Sequence, residues 1–396
     1  MVAATVRADV PVWGDPRAWE NPPTLLGEVT ADLCVVGLGG SGLAAVHAAL
    51  AAGATVAAVD AGPVGSGAAG RNGGFLLAGT ALFHHEAVAA WGRERAAALY
   101  AATRDEMDRL EAELGDAIVR RVGSLRIPAS PQEVEECAHQ REALMRDGFA
   151  AARAEGPTGA GVLVPDDGAL DPLARCRTLA ARATARGARL FCDSPVTALA
   201  GDRVATAGGA VRCRAVVVAV DGGLERLLPE LSDRVRSTRL QMLATAPVAR
   251  GTVPRPVYDN FGYDYWQQLP DGRVALGGGR DRFGADEWGR PPAADAAVQA
   301  WLDRQLRERV GVDAPVTHRW AGVVAYTEDK LPILEEVRPG VLVTGALCGH
   351  GNVLGSAAAR AAAAIALGGS APRLATLLRP EAWDGAQPRR LSPPAT

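Results

Sequence analysis

Residues 32–36 read as an apolar strand, and the chain then runs Gly37-Leu38-Gly39-Gly40-Ser41-Gly42. A small-residue helix over 41–52, a second apolar strand over 54–59 and Asp60 follow. No other stretch limits the fold as strongly, because its length suits a β-α-β unit with a right-handed crossover. Gly37 permits the tight turn, Gly39 lets a pyrophosphate approach, and Gly42 lets helix and strand pack closely. Amides at the start of the helix, including Gly40 and Ser41, point at the anion. Asp60 lies 60 − 42 = 18 residues beyond Gly42. Its carboxylate can accept both ribose hydroxyls and disfavours a 2′-phosphate. These features read as a dinucleotide site, and alone they do not separate FAD from NAD.

A second glycine cluster follows Asp60 and Ala61: Gly65-Ser66-Gly67-Ala68-Ala69-Gly70-Arg71-Asn72-Gly73-Gly74. It holds too many free amides for a regular helix and stands beside the dinucleotide turn. Arg71 is placed to neutralise a phosphate or orient a carboxylate, and Asn72 offers both a donor and an acceptor.

Further along, residues 86–115 change character with a mostly helical period across Glu94 to Glu113, another helical stretch covers 131–154, and a short strand lies over 123–128 between them. Asp171 caps and Pro172 opens a helix through Ala185. Strands are expected at 189–192, 196–199, 203–206 and 211–220, then at 241–244, 257–258, 263–269 and 274–277. A charged amphipathic helix covers 293–310, a buried strand 341–344 and a closing helix 353–367.

Composition removes several classes. The 396 residues are 48% hydrophobic and 22% charged, which excludes a wholly disordered chain. The formal charge of −3 does not suggest a nucleic-acid binder. Six scattered cysteines without a CxxC pair give no zinc or disulfide framework and favour a reducing cytoplasm. Arg360 interrupts the apolar stretch 354–367, so no integral membrane segment is expected. His84-His85-Glu86 lacks HExxH spacing, and no GxSxG elbow is present.

The chain resembles the FAD-dependent D-amino-acid oxidase-like superfamily, in the flavour of glycine oxidase, sarcosine oxidase and gamma-glutamylputrescine oxidase. The resemblance rests on the dinucleotide unit, the 65–74 segment, Arg319-Trp320-Ala321-Gly322 running on to Leu334, and Gly349-His350-Gly351-Asn352. It implies an α/β plus β architecture: a Rossmann-like FAD domain interleaved with a mainly antiparallel β substrate domain. The FAD domain would comprise 30–110, 160–230 and 317–370, and the substrate domain 111–159 and 231–316. Residues 1–29 would form an arm, either ordered or flexible, and 371–396 a peripheral or frayed tail.

The resemblance also implies a chemistry. A C–H bond beside an amine or amino-acid nitrogen is oxidised by hydride transfer to flavin N5. The imine hydrolyses, and O2 reoxidises the flavin to give hydrogen peroxide. A dehydrogenase with another acceptor, or a biosynthetic desaturase or cyclase, are the alternatives. Gly73, Gly74 and Gly322 would give the flavin ring access, Gly349, His350, Gly351, Asn352 and Val353 its terminal contacts, and Val196 the adenine contact; His350 would either stabilise the reduced flavin and help oxygen reduction or make a structural hydrogen bond near it. Some relatives link flavin to a cysteine in the segment that here reads Val323 to Thr327. The linkage is absent, so a non-covalent FAD is expected, with Cys348 a buried thiol. The TEDKLP turn makes Asp329 a loop organiser.

Residues 258–268 are the densest aromatic and polar stretch in a chain with only 5% aromatics. They are expected to wall the substrate, with Tyr265 and Asp264 near a cationic amine. Arg280, after the triple glycine 277–279, is suited to a substrate carboxylate, with Asp281 and Asp286 as competing partners. His84 and His85 either cap a helix or reach the site.

Overall fold

The computed structural model describes residues 6–383. A six-stranded sheet runs in the order Arg189–Phe191, Val56–Val59, Leu33–Val36, Ala215–Val218, Val341–Gly345, Ile333–Arg338. Its first five strands are parallel, and the last pairs antiparallel. Leu33–Val36, Val56–Val59 and Ala215–Val218 are buried throughout, as strands covered on both faces must be. Helix Gly40–Ala51 packs on this sheet beside Leu354–Ala366. The two helices approach closely because small residues line the contact: a Cβ on Gly355 would stand 2.7 Å from the Ser41 Oγ.

A nine-stranded sheet forms the second layer, in the order Arg7–Ala8, Val316–Tyr326, Arg236–Thr245, Val274–Gly277, Asp264–Gln268, Val257–Asp259, Ser124–Ile127, Ala160–Val164, Ala152–Glu155. Six of its eight pairings are antiparallel. Sheets of three and four strands complete the chain's β-structure among the described residues. No helix among the described residues is long and apolar enough to cross a membrane.

Several expected boundaries move. Val316–Tyr326 lies along Arg236–Thr245 in the nine-stranded sheet, so the return to the six-stranded sheet comes at Ile333 rather than 317. Ala160–Val164 also belongs to the nine-stranded sheet, not to the nucleotide layer. The helix expected over 131–154 stops at Arg146, where Phe149 N–H reaches back to the Leu144 carbonyl and Gly148 turns left-handed. The helical period expected across Glu94 to Glu113 is the helix Arg93–Leu114, and Gly92 separates it from a further helix, His84–Trp91. The strand expected over 211–220 splits, with Gly209–Arg212 joining the four-stranded sheet.

The termini are anchored where described. Arg7–Ala8 pairs with the end of the nine-stranded sheet, and Trp13 Nε1 donates to the Asn72 carbonyl at 2.8 Å. The tail, expected to be peripheral, docks as far as Trp383, which is buried and donates to the Leu334 carbonyl. Arg379 grips Asp329, and Asp329 also accepts Leu331 N–H. Residues 384–396 of that expected tail lie outside the described residues.

The strand–turn–helix unit tolerates no side chain at its closest contact. A Cβ on Gly42 would lie 1.9 Å from the Gly37 carbonyl oxygen. Gly42→Ala is therefore expected to lose folded protein altogether, at a cost above about 4 kcal/mol, checked by far-UV circular dichroism of the soluble fraction.

Candidate active site

One cavity of about 1060 Å³ lies between the two large sheets, at the upper end of small-molecule pocket volumes. One wall carries Gly37, Gly39, Gly40, Ser41, Asp60, Ala61 and Val196. The second glycine cluster adds Arg71, Asn72 and Gly73, and the last strands add Gly322, Gly349, His350, Gly351, Asn352 and Val353. Tyr265 and Arg280 stand across from them. Three predicted site residues lie elsewhere: Gly42, Gly74 and Asp264.

Each displacement has a steric cause. Gly42 serves the helix–strand contact described above. Gly74 is required by packing rather than by a ligand, since a Cβ there would meet the Leu170 carbonyl at 2.4 Å. Asp264 adjoins Tyr265 on one strand, and successive side chains point to opposite faces. Its carboxylate accepts Gly279 N–H at 2.9 Å and the Asn260 amide at 3.2 Å, and burial pushes its pKa up to about 6. It organises the 277–279 turn instead of meeting an amine.

The loops around the nucleotide wall are tied to each other. Asp60 accepts Leu38 N–H at 2.6 Å and Gly62 N–H at 2.9 Å, leaving each oxygen a second lone pair. Burial raises its pKa against those bonds. Arg71 meets no carboxylate but donates to the Ser66 and Ala321 carbonyls, joining the second glycine cluster to the Val316–Tyr326 strand. Asn72 and Asn352 pair through their amides at 3.0 and 3.3 Å. Trp320 Nε1 donates to the Arg71 carbonyl. His318 lies outside the cavity lining.

Two residues missed in the sequence complete this wall. Asp221, at the end of a parallel strand, accepts Leu347 N–H at 2.8 Å and Ala325 N–H at 3.3 Å; burial pushes its carboxyl up to about 6. It anchors a segment in which Ala346 and Cys348 hold left-handed backbone at φ 51° and 52°. Arg175 is 2% exposed and lines the cavity. It donates to Ser356 and, at 3.4 Å, to Asn352 Oδ1, and no carboxylate pairs with it among the described residues. Its only legible signal was an arginine inside the buried stripe Pro172, Cys176, Leu179, Ala183.

Arg175 also tests the fit of a cofactor. Its guanidinium carbon would lie 2.8 Å from a Cβ on Gly40, at the N-terminus of Gly40–Ala51, and its bonds reach the N-terminal turn of Leu354–Ala366. A desolvated cation beside two positive helix ends is costly without an anion. A diphosphate provides that anion, so these residues fit a dinucleotide.

A family model described as FAD dependent oxidoreductase matches residues 32–365. The chain belongs to this family. It is 27% identical over 389 residues to the probable oxidoreductase OrdL of Rhizobium meliloti (strain 1021), covering 90% of this chain and 88% of the relative. It is 27% identical over 358 residues to gamma-glutamylputrescine oxidoreductase of Escherichia coli (strain K12), covering 83% and 82%. The crystal structure of glycine oxidase from Geobacillus kaustophilus superposes with a TM-score of 0.69 at 18% identity, covering 85% of this chain and 95% of that one. The protein is an FAD-dependent oxidoreductase of the glycine oxidase fold.

The opposite wall is aromatic. Phe75 meets Tyr258 at 5.0 Å and Tyr265 edge-on at 5.8 Å between ring centroids. Burial pushes the Tyr326 phenol up to about 12 and raises Tyr258 and Tyr265 further. Arg280 lies 4.6 Å from the Tyr263 ring centroid and 4.7 Å from that of Tyr326. It enters no ion pair among the described residues, so neither Asp281 nor Asp286 competes for it. His350 has its pKa lowered by burial, with Nδ1 3.4 Å from the Cys348 carbonyl. His84 opens a helix, lines the cavity and bonds Asp147 at 2.7 Å; His85 bonds Glu136 at 2.6 Å.

Two outcomes follow for this family member. A Cβ at Gly39 meets only the Ala69 methyl within 4 Å, at 3.0 Å, so a larger side chain there has the cavity to fill. Gly39→Val should weaken FAD binding about tenfold or more while leaving the circular dichroism spectrum intact. Denaturation should release intact FAD; flavin mass retained on the protein would point to Cys348, the cavity's one cysteine among the described residues.

Asp167 offers a pH test. Burial pushes this cavity-lining carboxyl up to about 7, partly offset by Ser124 Oγ–H at 2.6 Å and Ala78 N–H at 3.0 Å. Its folded pKa stands above the unfolded value near 3.8. The stability tied to the neutral form is full below that value and is lost as pH rises through 7. Asp167→Asn should therefore raise Tm by about 2 °C or more at pH 8 and change it little at pH 4, as thermal unfolding at both pH values will show.

Proposed function

We propose that the chain oxidises the C–N bond of a primary or secondary amine or an amino acid to an imine, with O2 reduced to hydrogen peroxide. The observation that carries this reading is the cavity that joins the dinucleotide wall to an aromatic wall bearing Arg280, a cation in no ion pair among the described residues. Relatives named gamma-glutamylputrescine oxidoreductase and glycine oxidase support it. The glycine turn, Asp60 and the second glycine cluster would hold FAD along the first wall, where it would supply the electron acceptor.

The residues define what the substrate must bring. Four carboxyls line the cavity, and each is already engaged: Asp60 with Leu38 and Gly62, Glu86 with Phe83, Asp167 with Ser124 and Ala78, Asp221 with Leu347 and Ala325. The buried phenols of Tyr258, Tyr265 and Tyr326 stay neutral and donate hydrogen bonds rather than accept protons. His350 is neutral at neutral pH and adds no positive charge. The amine loses its proton before reaction, to solvent or to a cavity carboxyl such as Asp167, which frees the lone pair that stabilises the developing iminium. Tyr265 and Phe75 hold the carbon beside nitrogen, and Arg280 takes a neighbouring carboxylate where the substrate is an amino acid. Six free cysteines support placing the enzyme in the cytoplasm.

Anaerobic mixing with an amine substrate should bleach the visible band of the bound FAD without NAD or metal. Deuterium on the carbon beside nitrogen should slow that bleaching, and the rate should follow the ionisation of the amine itself. Admitting O2 should restore the band and yield peroxide. Product formed while FAD stays oxidised would overturn the reading, and reduction without reoxidation would assign a different acceptor.

A further inference from the structure

A second arginine in the cavity wall has no partner for its charge-bearing tips. Arg126, in strand Ser124–Ile127, is 6% exposed. Its Nε donates to Glu133 Oε1 at 3.4 Å, but Nη1 and Nη2 are buried with no hydrogen-bond partner. Glu133 is otherwise engaged, accepting Ala129 N–H at 2.8 Å and Phe261 N–H at 2.7 Å. The Phe83 ring covers the guanidinium, with its centroid 3.3 Å from the central carbon. Unmade bonds on a buried guanidinium are expensive unless a ligand makes them.

Register gives the location. Arg126 pairs with Tyr258, Tyr258 with Tyr265, and Tyr265 with Gly277, so these side chains form a row across one face. All but Gly277 line the cavity. Tyr265 is the member that touches the FAD side: a Cβ on Gly73 would lie 3.2 Å from its ring. Arg126 stands two strand spacings beyond, about 10 Å farther from the nucleotide wall.

We propose that this far end of the cavity is a carboxylate subsite, with Arg126 binding the anionic end of an elongated amine whose reacting nitrogen lies beside Tyr265. The carboxylate takes two parallel N–H···O bonds from Nη1 and Nη2 in the guanidinium plane, while the Phe83 ring covers the guanidinium face. Tyr258 and Phe261 line the intervening stretch, which suits an apolar linker. The inference deepens the amine-oxidation reading and rests on it for which end reacts. It separates two carboxylate positions: Arg280 beside the reacting end, and Arg126 at the distal end.

The test uses the full-length, FAD-loaded protein and straight-chain ω-amino carboxylates of three to nine methylenes, each beside its ω-amino carboxamide. Calorimetric Kd and anaerobic flavin reduction are both read. The acid should bind about tenfold or more tightly than the amide, at a chain length spanning about 10 Å. Arg126→Met should bring the acid-to-amide ratio close to one, Arg126→Lys should keep part of it, and Arg280→Gln should keep it. A ratio near one in the wild type, a ratio surviving in Arg126→Met, a ratio lost in Arg280→Gln, or no acid binding at all would overturn the proposal. If Arg126→Met fails to fold, the wild-type ratio and Arg126→Lys still decide. Flavin reduction by acids and amides alike removes the subsite and leaves amine oxidation standing. Tight acid binding without flavin reduction does the reverse.

Discussion

The close contact between Gly42 and the Gly37 carbonyl holds the rest of the site in place. It lets helix Gly40–Ala51 start immediately above the sheet, with its free amides facing the cavity. Small residues then bring the N-terminal turn of Leu354–Ala366 alongside, and Arg175 fills the gap between the two. Three sources of positive potential thus converge in a place closed to water. Such an arrangement is unstable alone and is completed by an anion, so the cofactor is part of the fold's electrostatic balance. The loops around it are held by backbone-directed bonds from Asp60, Arg71, Asn72 and Asp221. Those bonds fix the cavity's shape without adding mobile charge.

The opposite wall follows from strand alternation. Arg126, Tyr258 and Tyr265 share one face of the nine-stranded sheet, while Asp264 points to the other. The wall is therefore apolar with phenol tips, and its two cations come from different places, one after the 277–279 turn and one in a strand. Its rings and phenol tips present a surface suited to the apolar part of a bound molecule. Arg280 enters no ion pair among the described residues, and Arg126 keeps Nη1 and Nη2 unbonded although its Nε donates to Glu133.

Much of this was legible in the chain. The glycine turn, the acidic end of the second strand and the Asp171-Pro172 helix start each depend on contacts within a few dozen residues. Local chemistry is written in local sequence, so these elements and a dinucleotide site could be read directly, while the choice of FAD came from the family resemblance. Asp329 as a loop organiser was likewise legible, although its partner Arg379 came from a tail that local composition marked as peripheral.

What only the tertiary structure decided depends on distant pairing. Whether Val316–Tyr326 closes the nucleotide sheet or the substrate sheet turns on its match to Arg236–Thr245, about 80 residues away. Which of Asp264 and Tyr265 faces the cavity turns on which face that sheet buries, and a shift of one residue would exchange them. Arg175 and Arg126 look like surface arginines in one dimension. They became site residues only because the fold removed their water and left donors unsatisfied: Arg175 without a carboxylate among the described residues, and Arg126 with only its Nε bonded to Glu133. The sequence by itself determined a dinucleotide-binding α/β unit and an aromatic-rich partner sheet, because turns, caps and periodicity act locally. The three-dimensional packing decided which charges stand unpaired in the cavity, because desolvation is a property of what surrounds a side chain and not of its neighbours in the chain.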